Sequence, residues 1–190
     1  MTWIKVCGIT SKPDAEAAIA AGVSAIGLVF APSPRRVDLA TALGIVALAR
    51  GRVQLVGVFK EARLAETAHA AVGFDFVQIH SDDRVDLPVP VLRAMRPEGL
   101  DKDTMSTGEI VLIDGSEGEG IAFDWARVRS RPGRFVIAGG LTPENVGLAV
   151  TTARPFGVDV SSGVERGQGR KDPEKMARFV AAVRRADEIG

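Results

Sequence analysis

The chain reads as an α/β protein, a closed (β/α)8 TIM barrel in a single domain over residues 1–190, and three observations lead there. Short apolar runs alternate with Ala-rich helical stretches, giving eight strands at intervals of about two dozen residues. The runs are continuously apolar rather than alternating, as expected of parallel strands covered on both faces. No G-x-G-x-x-G follows the first run, which argues against an open doubly wound sheet. The length of 190 residues is slightly below the usual barrel range of about 200 to 400.

Taken in order, Trp3 to Val6 is the first strand, and Cys7-Gly8 stands at its C-terminal end. Pro13 to Ala21 is helical and closes on Gly22, a C-cap residue. Ala25 to Phe30 is a strand, Asp38 to Ala49 a helix, Val53 to Phe59 a strand, Ala62 to Val72 a helix, and Phe74 to Ile79 a strand. The next unit breaks the rhythm. Only eight residues, SDDRVDLP, separate His80 from Val89, with Pro88 and Pro90 alongside. A helical crossover needs about 10 to 12 residues, so the helix after the fourth strand is expected to be absent or reduced. Strands follow near Val89 to Ala94 and at Ile110 to Asp114, with a short fifth helix expected at about Leu100 to Ser106. Phe135 to Ala138 is the seventh strand and ends in Gly139-Gly140; Thr142 then offers an N-cap oxygen, Pro143 the first helical position, and Glu144 and Asn145 the first turn. Phe156 to Val160 ends in Ser161-Ser162-Gly163, and a last helix runs from about Pro173 to Ile189.

Composition narrows the function classes. A formal charge of zero gives no bulk electrostatic case for nucleic acid or anionic membrane. The longest apolar run, around Val23 to Phe30, is far short of the roughly 18 residues that span a bilayer. The start, Met1 to Lys5, shows no signal peptide, and the single cysteine fits a reducing compartment. A cytoplasmic location is the expectation.

In such a barrel the active site forms at the C-terminal ends of the strands. Those ends carry Cys7, the Pro32 to Arg36 loop, His80, Asp114 and Asp159. They also carry the two loops Gly139-Gly140 and Ser161-Ser162-Gly163, whose backbone N–H groups can approach an anion closely. Loops after strands seven and eight are a frequent phosphate site. Either loop alone reads as a tight turn; the two together, one helix apart, favour phosphate. Cys7 alone could be a buried small hydrophobe, but beside Gly8 at a strand end it could serve as base or nucleophile if a neighbour lowers its pKa. Asp114 ends four apolar residues; buried there it would hold a proton to donate, unless it only caps loop N–H groups. One of Arg35 and Arg36 is expected to point inward, where a guanidinium could clamp a carboxylate. His80 is expected as a hydrogen-bonded supporting residue. One cysteine and one well-placed histidine make a poor metal set, and an acid–base pair needs neither metal nor cofactor.

The segments KVCGIT (5–10), GLVFAPSPRRV (27–37), VGVF (56–59), VQIH (77–80), LID (112–114), FDW (123–125), AGGLTPENV (138–146) and VDVSSGVE (158–165) together resemble the phosphoribosylanthranilate isomerases of tryptophan biosynthesis, across nearly the whole chain. The resemblance implies a cofactor-free Amadori rearrangement of N-(5-phosphoribosyl)anthranilate to 1-(2-carboxyphenylamino)-1-deoxyribulose 5-phosphate. It implies Asp114 as general acid on the ribose ring oxygen and Cys7 as general base at C2. Arg35 would bind the anthranilate carboxylate, His80 and Asp159 would line the site, and the Gly139-Gly140 and Ser161-Ser162-Gly163 loops would hold the phosphate. The expected ligand is thus a phosphorylated small molecule, and the expected state a monomer or homodimer. Two departures stand out: Ser81-Asp82-Asp83 replaces the family's Gly-x-Glu, and Gly118-Glu119-Gly120 replaces a Gly-Gly-Thr/Ser-Gly loop. They leave two alternatives, a non-catalytic phosphate-ligand sensor or assembly subunit and a related sugar-phosphate isomerase.

Overall fold

The computed structural model describes residues 1–82, 84–99, 110–115, 123–129, 131 and 133–189. Eight parallel strands close into a barrel in sequence order: β1 (Trp3–Cys7), β2 (Ala25–Val29), β3 (Gln54–Phe59), β4 (Phe76–Ile79), β5 (Val91–Met95), β6 (Ile110–Asp114), β7 (Phe135–Ala138) and β8 (Gly157–Val160). The ring closes where Lys5 of β1 stands in register with Asp159 of β8.

The two faces of each strand bury into separate cores. Outward residues such as Ile4, Val6, Ile26, Leu28, Leu55, Val111 and Ile113 pack under the helices. Inward residues, among them Trp3, Cys7, Val29, Val56, Leu92, Leu112 and Val136, fill the barrel. This period of two is the strand's own geometry. Near its N-terminal end the barrel interior carries Trp3, stacked on Phe156 at 6.0 Å and tilted on Phe76 at 5.8 Å, with its indole N–H donating to Gln54 at 2.7 Å. On the outside, Gly57 makes room for an aromatic cluster: a Cβ there would meet Phe59 at 2.6 Å and Phe74 at 2.7 Å.

Five α-helices are described: α1 (Lys12–Ala21), α2 (Leu39–Ala49), α3 (Ala62–Val72), α4 (Val146–Ala153) and α5 (Pro173–Ile189). Ser11 and Asp38 cap α1 and α2, their side chains accepting from Asp14 and Thr41 N–H groups, and Gly22 ends α1 at φ 82°. Among the described residues no helix joins β4 to β5, as the short proline-flanked spacing required. The fifth-unit helix expected at Leu100 to Ser106 and the Gly118-Glu119-Gly120 loop lie outside the described residues. Two features differ from expectation. The helix after β7 starts one turn late: Thr142 caps a turn, its hydroxyl accepting from the Glu144 N–H at 3.2 Å, and Asn145 becomes the N-cap of α4. Beyond β8, a small antiparallel hairpin forms from β9 (Glu165–Gly167) and β10 (Arg170–Lys171).

Candidate active site

The C-terminal rim of the barrel opens into a cavity of about 350 Å³. Ten of the residues singled out from the sequence line it: Cys7, Arg35, His80, Asp114, Gly139, Gly140, Asp159, Ser161, Ser162 and Gly163. A sulfur from β1 and a carboxyl group from β6 therefore share one mouth with two small-residue loops.

The loop after β7 turns through Gly139 and Gly140 at φ 84° and 65°, a backbone region that favours glycine. Asn145 staples it, donating to the Gly140 carbonyl and accepting from the Thr142 N–H, each at 2.8 Å. The loop after β8 lies against it so closely that a Cβ on Gly163 would sit 1.9 Å from the Leu141 carbonyl oxygen. The N–H groups of Gly139, Gly140, Ser162 and Gly163 donate to no described residue. Such a set of unpaired amides is an anion cradle. The Ser161 hydroxyl donates to the Cys7 carbonyl at 3.1 Å, tying this loop to the end of β1.

Cys7 is buried, and burial pushes its thiol up, against the pull of the Lys5 ammonium. Lys5, two residues earlier on the same face of β1, is fully buried and donates to Asp159 Oδ2 at 2.9 Å. Burial works against the Lys5 charge, but Asp159 and Cys7 prevail and hold its pKa above the ordinary value. Burial also raises Asp159, opposed by Lys5 and assisted by Asp114. Its Oδ1 has no hydrogen-bond partner among the described residues. Asp114 is only half-buried rather than enclosed by the apolar run before it, because it is the last residue of β6 and faces the mouth. The burial expected for it is therefore corrected.

Of the two arginines, Arg35 turns inward and Arg36 is exposed. Gly8 makes this possible: a Cβ there would lie 2.5 Å from Arg35 Cδ. The Arg35 guanidinium grips Glu165 bidentately at 2.7 and 2.9 Å. Glu165 also accepts from Lys171 Nζ at 2.9 Å, and Lys171, fully buried, donates onward to the Ser161 carbonyl at 3.1 Å. Burial would raise the Glu165 carboxyl, but the bonds from Arg35 and Lys171 hold it below the usual range. The three remaining N–H groups of Arg35 donate to no described residue. His80 is exposed at the rim, its Nε2 lying 2.8 Å from the Gln78 amide nitrogen, so Gln78 donates and the ring accepts there.

Sequence alone assigned no role to four of these residues: Lys5, Gln78, Glu165 and Lys171. Lysine and glutamate ordinarily mark surface, and only the inward parity of Lys5 with Cys7 on one strand hinted otherwise. Among the described residues no cluster of three or more metal-ligating side chains occurs, and no helix is long and apolar enough to cross a membrane.

A family model described as "PRAI: N-(5'phosphoribosyl)anthranilate (PRA) isomerase" matches residues 4–182. Among relatives of that name, the protein of Pseudomonas aeruginosa is 42% identical over 205 residues, covering 97% of each chain. The one from Oceanobacillus iheyensis is 36% identical over 203 residues, covering 98% of this chain and 99% of its own. The crystal structure of phosphoribosyl anthranilate isomerase from Thermotoga maritima superposes with a TM-score of 0.85 at 31% identity, covering 97% of this chain and 99% of its own. A second crystal structure of phosphoribosyl anthranilate isomerase, in complex with reduced 1-(o-carboxyphenylamino)-1-deoxyribulose 5-phosphate, gives 0.83 at 31% identity over the same shares. The chain belongs to the N-(5'-phosphoribosyl)anthranilate isomerase family.

Proposed function

We propose that the residues around this mouth divide the family's reaction, the isomerisation of N-(5'-phosphoribosyl)anthranilate in tryptophan biosynthesis, in the following way. The substrate phosphate sits on the free amides of Gly139, Gly140, Ser162 and Gly163, with Ser161 joining the cradle to β1. Its anthranilate carboxylate takes the N–H groups that Arg35 leaves unused. Asp114, half-buried at the mouth, donates its proton to the ribose ring oxygen, and the C1–O bond breaks to leave a protonated Schiff base. The Cys7 thiolate then removes the C2 proton, giving an enaminol. Reprotonation at C1 and loss of the C2 hydroxyl proton yield the ketone, so atoms and charge balance with no outside reactant. Asp159 Oδ1, buried and unpartnered, accepts from a ribose hydroxyl, and His80 lines the rim. The chain works as one catalytic domain, as a monomer or homodimer, in the cytoplasm.

The observation that carries this reading is the convergence of Cys7, Asp114 and the two glycine-serine loops on one cavity. It is tested with enzymatically generated phosphoribosylanthranilate, following the loss of its fluorescence. Cys7→Ala and Asp114→Asn should each lose about 10²-fold or more in kcat while remaining folded. Undiminished turnover in both variants would reject the assignment. In cells, a tryptophan auxotroph lacking this step should grow when given the wild-type chain and fail to grow when given Cys7→Ala.

A further inference from the structure

A lysine buried in the middle of a barrel is costly to place, and its local geometry shows what it serves. Lys5 and Cys7 are two residues apart on β1, so both side chains project into the barrel interior. Both crowd the space above Gly27, where a Cβ would lie 3.0 Å from Cys7 Sγ and 3.1 Å from Lys5 Cε. Asp159, in register with Lys5 across the closing seam, takes one ammonium proton at 2.9 Å. One carboxylate oxygen, Oδ1, is left with no partner. The Lys5 side chain thus gives its ammonium to a carboxylate while its stem lies beside the sulfur, and Asp159 competes with a thiolate for the same charge.

We infer that Lys5 is the counter-ion of the Cys7 thiolate, a positioning residue whose strength is set by how far Asp159 draws the ammonium away from the sulfur. This rests on the reading of Cys7 as the base, and it adds the group that makes the base available. The charged groups that act on Cys7 come from four elements: Lys5 from β1, Asp159 from β8, Lys171 from the β9–β10 hairpin, and Arg35 from the loop after β2. Asp114 of β6 acts on this set through Asp159. Glu165 neutralises one charge of the Arg35 and Lys171 pair. The charged groups are three cations, Lys5, Arg35 and Lys171, and three carboxylates, Asp159, Glu165 and Asp114. Of the three cations, Lys5 is the one that shares the strand and the face of Cys7.

The geometry makes two predictions of opposite sign. Removing the ammonium should make the thiol harder to ionise, whereas removing its competing carboxylate should make it easier. A merely structural role predicts the same sign for both, since loosening either partner opens the site. Cys7 is the only cysteine, so the pH dependence of iodoacetamide alkylation reads this thiol alone. Lys5→Met should move the alkylation midpoint up by about one unit, slowing the reaction roughly tenfold at a fixed pH below the midpoint. Asp159→Asn should move it down and speed the reaction. Circular dichroism establishes that each variant is folded, and if Lys5→Met does not accumulate, Asp159→Asn decides alone. Shifts of the same direction in both variants, an unmoved midpoint in Lys5→Met, or a midpoint at or above wild type in Asp159→Asn would overturn the inference. The reading of Cys7 as base fails separately, through full turnover in Cys7→Ala, and leaves the alkylation result standing on its own.

Discussion

Glu165 offers the sharpest test of how the carboxylate clamp is built. Replacing it by glutamine keeps its shape and removes its charge. Three charge-assisted hydrogen bonds are weakened together: two from Arg35 at 2.7 and 2.9 Å and one from Lys171 at 2.9 Å. The Glu165 side chain is 5% exposed, Lys171 is 0% and Arg35 is 16%. Breaking a fully buried pair costs about 3 to 5 kcal/mol, chiefly because a charge is left uncompensated. Lys171 keeps the Ser161 carbonyl and Arg35 reaches some water, so the lower end, about 3 kcal/mol, applies here. For a chain of this size that corresponds to a fall in Tm of roughly 6 to 12 °C, taking about 2 to 4 °C per kcal/mol. Freed from its fork, the Arg35 guanidinium no longer presents its remaining N–H groups at a fixed angle, and KM should rise about tenfold, or ~1.4 kcal/mol. Asp114 and Cys7, the proposed acid and base, make no contact with Glu165, so the loss should fall chiefly on KM, with kcat changing only through the altered charge around Cys7. Calorimetry and steady-state fluorescence assays read both quantities. A Glu165→Gln protein as stable as wild type, or one that loses kcat with KM unchanged, would refute the idea that Glu165 holds Arg35 for the substrate.

Three further outcomes follow from the same geometry. Because burial holds the Cys7 thiol above its ordinary value, kcat/KM should climb as pH rises into the alkaline range; a profile flat across that range would contradict a thiolate base. Gly163→Ala places a methyl group 1.9 Å from the Leu141 carbonyl oxygen, so the loops after β7 and β8, proposed to hold the phosphate, must separate; competitive inhibition by inorganic phosphate should weaken at least tenfold, and unchanged inhibition would place the phosphate elsewhere. Gly57→Ala drives a methyl group into Phe59 and Phe74 on the outer face, costing about 1 to 3 kcal/mol by overpacking; denaturant unfolding should show this with kcat preserved, since Gly57 does not line the mouth.

Much of the barrel was legible because parallel strands covered on both faces leave continuous apolar runs, and β6 and β7 fall on the residues those runs mark. The absent helix after β4 was legible for a simpler reason, a segment too short and too proline-flanked to hold one. The start of α4 was misplaced because Thr142 can cap either a helix or a turn. Asn145 Oδ1 claims the Thr142 N–H, and the turn wins. At the site, the reactive and glycine-rich positions were visible because few residue types can do their work. Their supports were not, because a buried lysine is written with the same letter as a solvated one. Lys5, Lys171 and Glu165 are buried only through partners 6 to 154 positions away along the chain, and no local pattern encodes those pairings. The choice between Arg35 and Arg36 was likewise settled at a distance, by the missing side chain of Gly8.

β1 shows how one short strand joins the stability of the barrel to its chemistry. Its inward residues are Trp3, Lys5 and Cys7, in that order toward the mouth, and its outward residues are Ile4 and Val6. Trp3 stacks near the N-terminal end of the barrel, Lys5 pairs across the seam that closes the ring, and Cys7 reaches the cavity. Because side chains alternate with a period of two, these three assignments are inseparable: a slip of one residue against β2 or β8 would turn all three outward and bring Ile4 and Val6 in. The ion pair between Lys5 and Asp159 penalises that slip heavily, since it would bury a lysine under the helices with no carboxylate to meet it. On the proposed reading, the charge that readies the thiolate also fixes the register that delivers the thiol to the mouth. That double duty gives a physical reason for a barrel of this size to keep a fully buried lysine at its closing seam.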